Sequence, residues 1–389
     1  MTEISRLTRA IRTGLEWDTS VGAVVPPIHV STNYRFETPD RRGGYDYSRS
    51  GNPTRDLLGT ALGILEGGQP AVITGTGMGA VTTAVLACTE PGDTVAIPHD
   101  CYGGTWRLFA RLAERQHLEL VVLNFTDTAA AAARLRELRP TLVWLETPSN
   151  PLLRITDIAT LTEAAHAAGA LVAADNTFCS PVRQQPLDLG ADLVIHSTTK
   201  YVNGHSDVVG GAVVAREPEL AETIGYWANT LGTTGGALDA WLTLRGLRTL
   251  PLRMRQHEQN AAAVVETLIG HEAVGAVHYP GLPEHPGHEL AARQQQGFGG
   301  MLSFELSGIP AVEAFLDGLA CFSLAESLGG TESLVCHPGL MTHAAMPPEV
   351  QREAGITPGL LRLSVGIEET DDLVADVRAG LARAAAVDA

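Results

Sequence analysis

The chain has 389 residues, 44% of them hydrophobic and 18% charged, with a formal net charge of −17. That length exceeds one ordinary core, so two packed units are expected, and the composition excludes a disordered chain. The acidic balance argues against a nucleic-acid partner, and no apolar run reaches bilayer length. The polar start at 1–12 lacks the apolar core of a secretory signal, so no membrane partner and a cytoplasmic location are expected.

Residues 1–60 are rich in Pro, Gly, Arg and Tyr with little periodicity, and read as an arm that is either loosely attached or ordered by a neighbour. From 71 onward apolar runs alternate with alanine- and leucine-rich helical patterns. Short buried strands are expected at 71–74, 94–98, 118–123, 141–146, 170–174, 192–196 and 211–215. Helices are expected at 78–88, 105–115, 128–138 and 157–168. This alternation predicts a mostly parallel sheet covered on both faces, with ligands beyond the carboxyl ends of the strands. A long helix at 254–270 opens a second αβ unit with strands at 276–279, 301–306 and 360–365. The expected division is an arm (1–60), a large domain (61–250) and a C-terminal domain (251–389).

The polar residues of interest fall at strand ends. Gly75-Thr-Gly-Met-Gly79 lies between a strand and a helix, where glycines and free amides suit a single phosphate better than a dinucleotide. Tyr102 follows a strand and precedes Gly103-Gly104; it is either a core tyrosine or one that stacks on a planar ring and moves a proton. Asp175 ends the apolar run at 170–175. It either caps the next turn or meets a cation such as a protonated pyridine nitrogen.

Lys200, in Ile195-His-Ser-Thr-Thr-Lys200-Tyr, follows a buried strand. In isolation it reads as a surface lysine. In this company its amine is expected to be desolvated and nucleophilic, with Ser197 and Thr199 presenting hydroxyls to phosphate oxygens. Arg362, inside the strand-like Leu-Leu-Arg-Leu-Ser, calls for a bidentate carboxylate from protein or substrate. Cys88, Cys101, Cys179, Cys321 and Cys336 form no C-x-x-C pair and read mostly as buried small hydrophobes. His271, His278, His285 and His288 match no metal spacing, so no metal is expected.

These residues sit within longer motifs: Tyr-Asp-Tyr-Ser-Arg-Ser-Gly-Asn-Pro-Thr-Arg (45–55), Asp-Cys-Tyr-Gly-Gly-Thr (100–105), Glu-Thr-Pro-Ser-Asn-Pro (146–151), Asp-Asn-Thr-Phe (175–178), Ser-Thr-Thr-Lys-Tyr (197–201), Gly-His-Ser-Asp (204–207) and Ala-Glu-Ser-Leu-Gly-Gly (325–330). With them, the chain resembles the Cys/Met-metabolism enzymes dependent on pyridoxal 5′-phosphate (PLP), from about residue 11 to 381. Within that family it is most similar to the bacterial cystathionine γ-synthase branch. The resemblance implies the aspartate-aminotransferase-like, fold type I α/β architecture. That fold has a mostly parallel seven-stranded sheet and a smaller C-terminal αβ domain. The family is homotetrameric, a dimer of dimers with shared active sites.

By the same resemblance Lys200 carries the cofactor as a Schiff base, Asp175 faces the ring nitrogen and Tyr102 stacks on the ring. Gly77, Met78, Ser197 and Thr199 hold the phosphate, and Tyr47 and Arg49 reach the phosphate of a neighbouring subunit. Asn150, Ser327 and Arg362 hold the amino-acid end of the substrate. Glu326 resembles the acidic residue of enzymes that handle the distal amino group of cystathionine, synthase and lyase alike, and Asp46 and Arg107 are candidate entrance residues. The implied chemistry is replacement at Cγ, joining an O-acyl-L-homoserine (succinyl or acetyl) to L-cysteine. The alternatives are γ-elimination, as in a γ-lyase, and a specialised-pathway γ-replacement with another leaving group or nucleophile. A scaffold without catalysis is a third reading, which intact Lys200, Asp175, Tyr102 and Arg362 oppose. Gly103-Gly104 lack the cysteine typical of methionine γ-lyases. The stretch at 227–236 looks more like a synthase. Ser50 replaces a second arginine common in enzymes that use the succinyl ester, a loss of about 1–3 kcal/mol of charge-assisted bonding.

Overall fold

The computed structural model describes residues 4–344 and 346–388. The arm carries helix Arg6–Arg12 and a small hairpin of β1 (Phe36–Thr38) and β2 (Arg41–Arg42). Helix Pro53–Glu66 then starts with Asn52 as its cap, whose side chain accepts from the amides of Thr54 and Arg55.

The large sheet has seven strands: β3 (Val72–Thr74), β4 (Asp93–Pro98), β5 (Leu118–Leu123), β6 (Leu142–Glu146), β7 (Leu171–Asp175), β8 (Leu193–His196) and β9 (Gly211–Ala215), in the order β3-β9-β8-β7-β6-β4-β5. Only β9 runs against its neighbours, so the carboxyl ends of β3, β4, β6, β7 and β8 share one edge. Successive side chains along these strands point to opposite faces, and both faces are covered, so the strands are continuously apolar instead of alternating. Val95, Ile97, Trp144, Ala173 and Ile195 pack towards helices Gly77–Cys88, Gly103–Glu114 and Pro218–Leu231. Ala96, Val143, Leu145, Val172 and Ala174 pack towards helices Thr128–Leu138 and Ile158–Ala167. The parallel sheet with helices on both faces is thus as the sequence predicts.

Helix Leu250–Leu268 leads into the second unit. It begins four residues before the expected start, because Pro251 in its first turn needs no amide partner there. The second sheet holds β10 (Ala276–His278), β11 (Met301–Glu305), β12 (Phe322–Leu324), β13 (Ser333–Cys336) and β14 (Leu360–Ser364), ordered β10-β11-β14-β13-β12. Periodicity missed β12 and β13, which are three and four residues long. Phe304, Phe315, Val335, Leu361, Leu363, Val377 and Leu381 form its core, between the sheet and helices Leu250–Leu268, Ile309–Leu316 and Thr370–Asp388. Four of the five cysteines are buried. Among the described residues no helix is long and apolar enough to cross a membrane, and no cluster of metal-ligating side chains occurs.

Candidate active site

The shared strand edge concentrates charge. Asp175 closes β7 and is in register with Ile195 of β8, and Lys200 follows four residues after β8 ends. The two groups therefore sit at the ends of adjacent strands. Lys200 Nζ donates to Ser327 Oγ at 2.7 Å. Burial, reinforced by the Arg362 guanidinium and opposed by Glu326, pushes the Lys200 amine down to about 8. Near neutrality the free amine, which is the nucleophilic form, is therefore far more populated than in an ordinary lysine.

Asp175 accepts from the Thr177 amide at 3.0 Å, and burial holds its carboxyl above the usual range. Thr177 also fixes the lysine loop, since its hydroxyl accepts from the Ser197 amide at 2.9 Å. Behind Asp175, the fully buried His196 and Glu66 meet at 2.6 Å, and Asn176 Nδ2 donates to the same Glu66 oxygen at 2.9 Å. This network anchors β8 to helix Pro53–Glu66.

The second sheet supplies the other half. Arg362, centred on β14 and 2% exposed, donates from Nη1 to Asn150 Oδ1 and from Nη2 to Ser327 O, each at 2.9 Å. Its Nε is buried and has no partner. Ser327 is held at φ +86°, a left-handed conformation unusual for serine. The strained residue thus bridges Arg362 through its carbonyl and Lys200 through its hydroxyl.

Tyr102 precedes helix Gly103–Glu114, and its amide donates to Glu146 Oε2 at 2.8 Å. Its ring lies over Gly104: a Cβ at that position would approach Tyr102 Cε1 to 2.5 Å and Met78 Sδ to 3.0 Å. Glycine is therefore required there for the ring to lie flat against its own helix. Burial raises the Tyr102 hydroxyl; Arg107 and Arg362 act against this rise, and Glu326 and Glu146 add to it. Arg107 and Glu326 are exposed at the mouth.

The residues present fit PLP. A Cβ on Gly77 would come within 2.9 Å of Ser197 Oγ, so the bare backbone leaves a cradle against the serine. Thr76 occupies the Gly79 amide, which leaves the Gly77 and Met78 amides of the same helix start for a phosphate. Asp175 is a half-buried carboxylate with no ion-pair partner among the described residues, which suits a protonated ring nitrogen. Thr199 differs in emphasis: its hydroxyl donates to Gly210 O at 3.2 Å and accepts from Gly210 N at 3.0 Å, so it also closes the loop after Lys200.

Asp46, Tyr47 and Arg49 are not brought to this edge. Asp46 accepts from the Tyr47 amide, from Ser50 Oγ and from Arg42 at 2.9 Å, and the Ser50 hydroxyl leads in holding its carboxyl below the usual range. Arg49 Nε donates to Asn229 Oδ1 at 3.0 Å, and Tyr47 is exposed. Both line a cleft with Asn52, Arg55 and Gly235. Two contributors escaped the sequence reading. Glu146 carried the same signal as Asp175, a carboxylate ending a buried strand. His343, buried beside Arg362 and Asn150, carried none, because it comes from an irregular segment.

Comparison with known proteins agrees with this geometry. The model of the Cys/Met metabolism PLP-dependent enzyme family matches residues 7–382. The cystathionine gamma-synthase of Escherichia coli is 52% identical over 374 residues, 96% of this chain and 97% of that protein. The cystathionine gamma-lyase of Bacillus subtilis is 44% identical, over 96% of this chain and 98% of its own. The crystal structure of cystathionine gamma synthase from Xanthomonas oryzae pv. oryzae in complex with cystathionine superposes with a TM-score of 0.97 at 58% identity, covering 99% of this chain and 100% of that one. The chain belongs to the Cys/Met metabolism PLP-dependent enzymes.

Proposed function

We propose that this PLP-dependent enzyme joins an O-acyl-L-homoserine to L-cysteine by replacement at Cγ, giving L-cystathionine and the free acid. The observation that carries the reading is the chain Lys200–Ser327–Arg362–Asn150, part-buried at the lysine and buried at the arginine, which sets an amine 2.7 Å from a residue that also orients an Arg with one buried donor still free. That arrangement fits an α-amino acid: carboxylate on Arg362, Cα facing Lys200. The choice of a synthase reaction is supported by the relatives from E. coli and X. oryzae.

PLP, held by Lys200, Asp175, Tyr102 and the Gly77–Met78 amides, supplies the electron sink that acidifies the substrate's Cα and Cβ protons. Lys200 Nζ, once free, would take the Cα proton, give it up again and, restored as a free amine, take one from Cβ, a task suited to an amine whose proton affinity is lowered to about 8. Ser327 Oγ keeps Nζ aimed at the substrate between transfers. Tyr102 covers one face, and its raised hydroxyl keeps a proton for the departing acyloxy group at Cγ. Arg362 fixes the carboxylate so that Cα does not shift during either transfer. The cysteine thiol then takes the vacated position at Cγ.

Elimination, with water in place of the thiol, is the second reading, favoured by the 44% identity to the B. subtilis γ-lyase. Incubation with O-succinylhomoserine, O-acetylhomoserine and cystathionine, each with and without cysteine, separates the two. Absence of cystathionine from both esters plus cysteine rules out the first. The three-part division at residues 60 and 250 and a cytoplasmic location belong to the same proposal. So does a homotetramer in which Tyr47 and Arg49 serve a neighbour's phosphate, with Asp46 and Arg107 as entrance residues. The arm's charges, which face a cleft away from their own Lys200, support this assembly.

A further inference from the structure

Two carboxylates end neighbouring strands at the bottom of the site. Glu146 and Asp175 are paired in register across β6 and β7. Glu146 is 6% exposed, and among the described residues neither group has an ion-pair partner. The nearby cations are engaged elsewhere: Arg154 Nη1 lies 3.2 Å from Asp100, Arg362 holds Asn150 and Ser327, and Lys200 holds Ser327. Asp100 adds a third acidic group to the same edge. A pyridine nitrogen brings one positive charge, enough to keep one buried carboxylate ionised and not two.

Glu146 is also the mechanical link of the site. Its Oε2 accepts the Tyr102 amide, and the Asn150 amide donates to the same carboxyl. Asn150 in turn orients Arg362. One side chain thereby ties the residue over the ring face to the residue behind the substrate carboxylate.

We propose that Glu146 is a positioning residue held as the uncharged carboxylic acid, fixing Tyr102 and Asn150 to the end of β6 and leaving Asp175 as the single anion for the ring nitrogen. The proposal rests on the PLP reading, though not on the choice of acyl donor or nucleophile. Burial and the adjacent Asp175 both push the Glu146 carboxyl well above its usual range, against the pull of the Tyr102 and Asn150 amides. The other titratable groups facing it are Asp100, Cys101 and Tyr102.

The test compares Glu146→Gln and Glu146→Ala with the wild type. Glutamine reproduces the acceptor oxygen without a charge. In the PLP-loaded protein, the pH midpoint of the visible cofactor band should move by less than ~0.3 unit in E146Q, because no nearby charge is lost. In E146A, kcat/KM should fall about 30-fold or more, mainly through KM for the amino-acid substrate, as Arg362 loses its alignment. The apoprotein gives a reading free of turnover. An acid whose folded pKa is raised keeps its proton where the unfolded chain has released it, so its favourable share is complete below the ordinary pKa of about 4.3 and declines as pH rises towards the folded value. E146Q lacks that decline, so its melting temperature relative to wild type should rise between pH 5 and 8.

A band midpoint displaced by ~1 unit in E146Q, or an apoprotein difference that shrinks with rising pH, means that Glu146 is ionised and overturns the proposal. An E146A protein that turns over like wild type overturns the positioning role. Should E146A fail to fold, E146Q against wild type still decides. Failure to make cystathionine, with these pH readings intact, would sink the proposed reaction and leave this inference standing.

Discussion

The strand-end site and the N-terminal arm use the same kinds of side chain in opposite surroundings. Lys200 and Arg362 are enclosed, with their donors assigned to Ser327 and Asn150, and burial changes what the lysine can do. Arg49 and Tyr47 stand in the open: Arg49 donates to Asn229 of helix Pro218–Leu231, and the half-buried Asp46 accepts from Arg42 and Ser50. Water screens such groups, so they can bind an anion firmly only when another surface closes over them. The first region is finished within the chain; in the proposed assembly the second is finished by another chain.

Substitutions can break that contrast. The largest effect is expected for Lys200→Ala, which should lower turnover by about 10³-fold or more while the fold persists. Turnover within tenfold of wild type would remove Lys200 from the chemistry. Arg362→Lys keeps the charge and loses the planar fork, so kcat/KM should fall by about 10²-fold, chiefly in KM for the amino-acid substrate. An unchanged KM would detach Arg362 from the carboxylate.

The lysine's lowered pKa predicts that PLP uptake by the apoprotein accelerates with pH up to about 8 and then levels, because the free amine is the reactive form. A profile still climbing towards the ordinary lysine pKa of about 10.4 would show an amine that is not desolvated. Thr177→Val removes the acceptor of the Ser197 amide and should cost about 1–2 kcal/mol of stability, read from the denaturation midpoint. The smallest effect belongs to the arm. Arg49→Ala should weaken PLP retention only several-fold, and only in the assembled protein, as measured by dialysis at concentrations above and below assembly. Equal retention in both conditions would mean that the arm does not serve a neighbour.

Much of the site was legible because strand ends are legible. A buried apolar run that stops at a carboxylate or just before a lysine announces a charge at the sheet edge, and Asp175, Lys200 and Tyr102 were found that way. Glu146 carries the same mark at the end of β6, but the motif it opens stands out in the sequence through Asn150. His343 could not be found, since its burial beside Arg362 comes from an irregular loop without periodicity. In the second sheet, β12 and β13 escaped because strands of three and four residues are too short to display a period of two.

By itself the sequence determined the alternation of apolar runs and helical faces, the parallel sheet that follows from it, and the strand-end placement of the reactive groups. These are local facts, fixed by side-chain period and by the cost of burying backbone and charge. The tertiary structure alone decided that Ser327 and Arg362, more than a hundred residues beyond Lys200, close over it, and that Glu146 meets Asp175 in register. The first meeting depends on how two separately cored sheets pack against each other and the second on which strands of one sheet become neighbours, and spacing along the chain records neither.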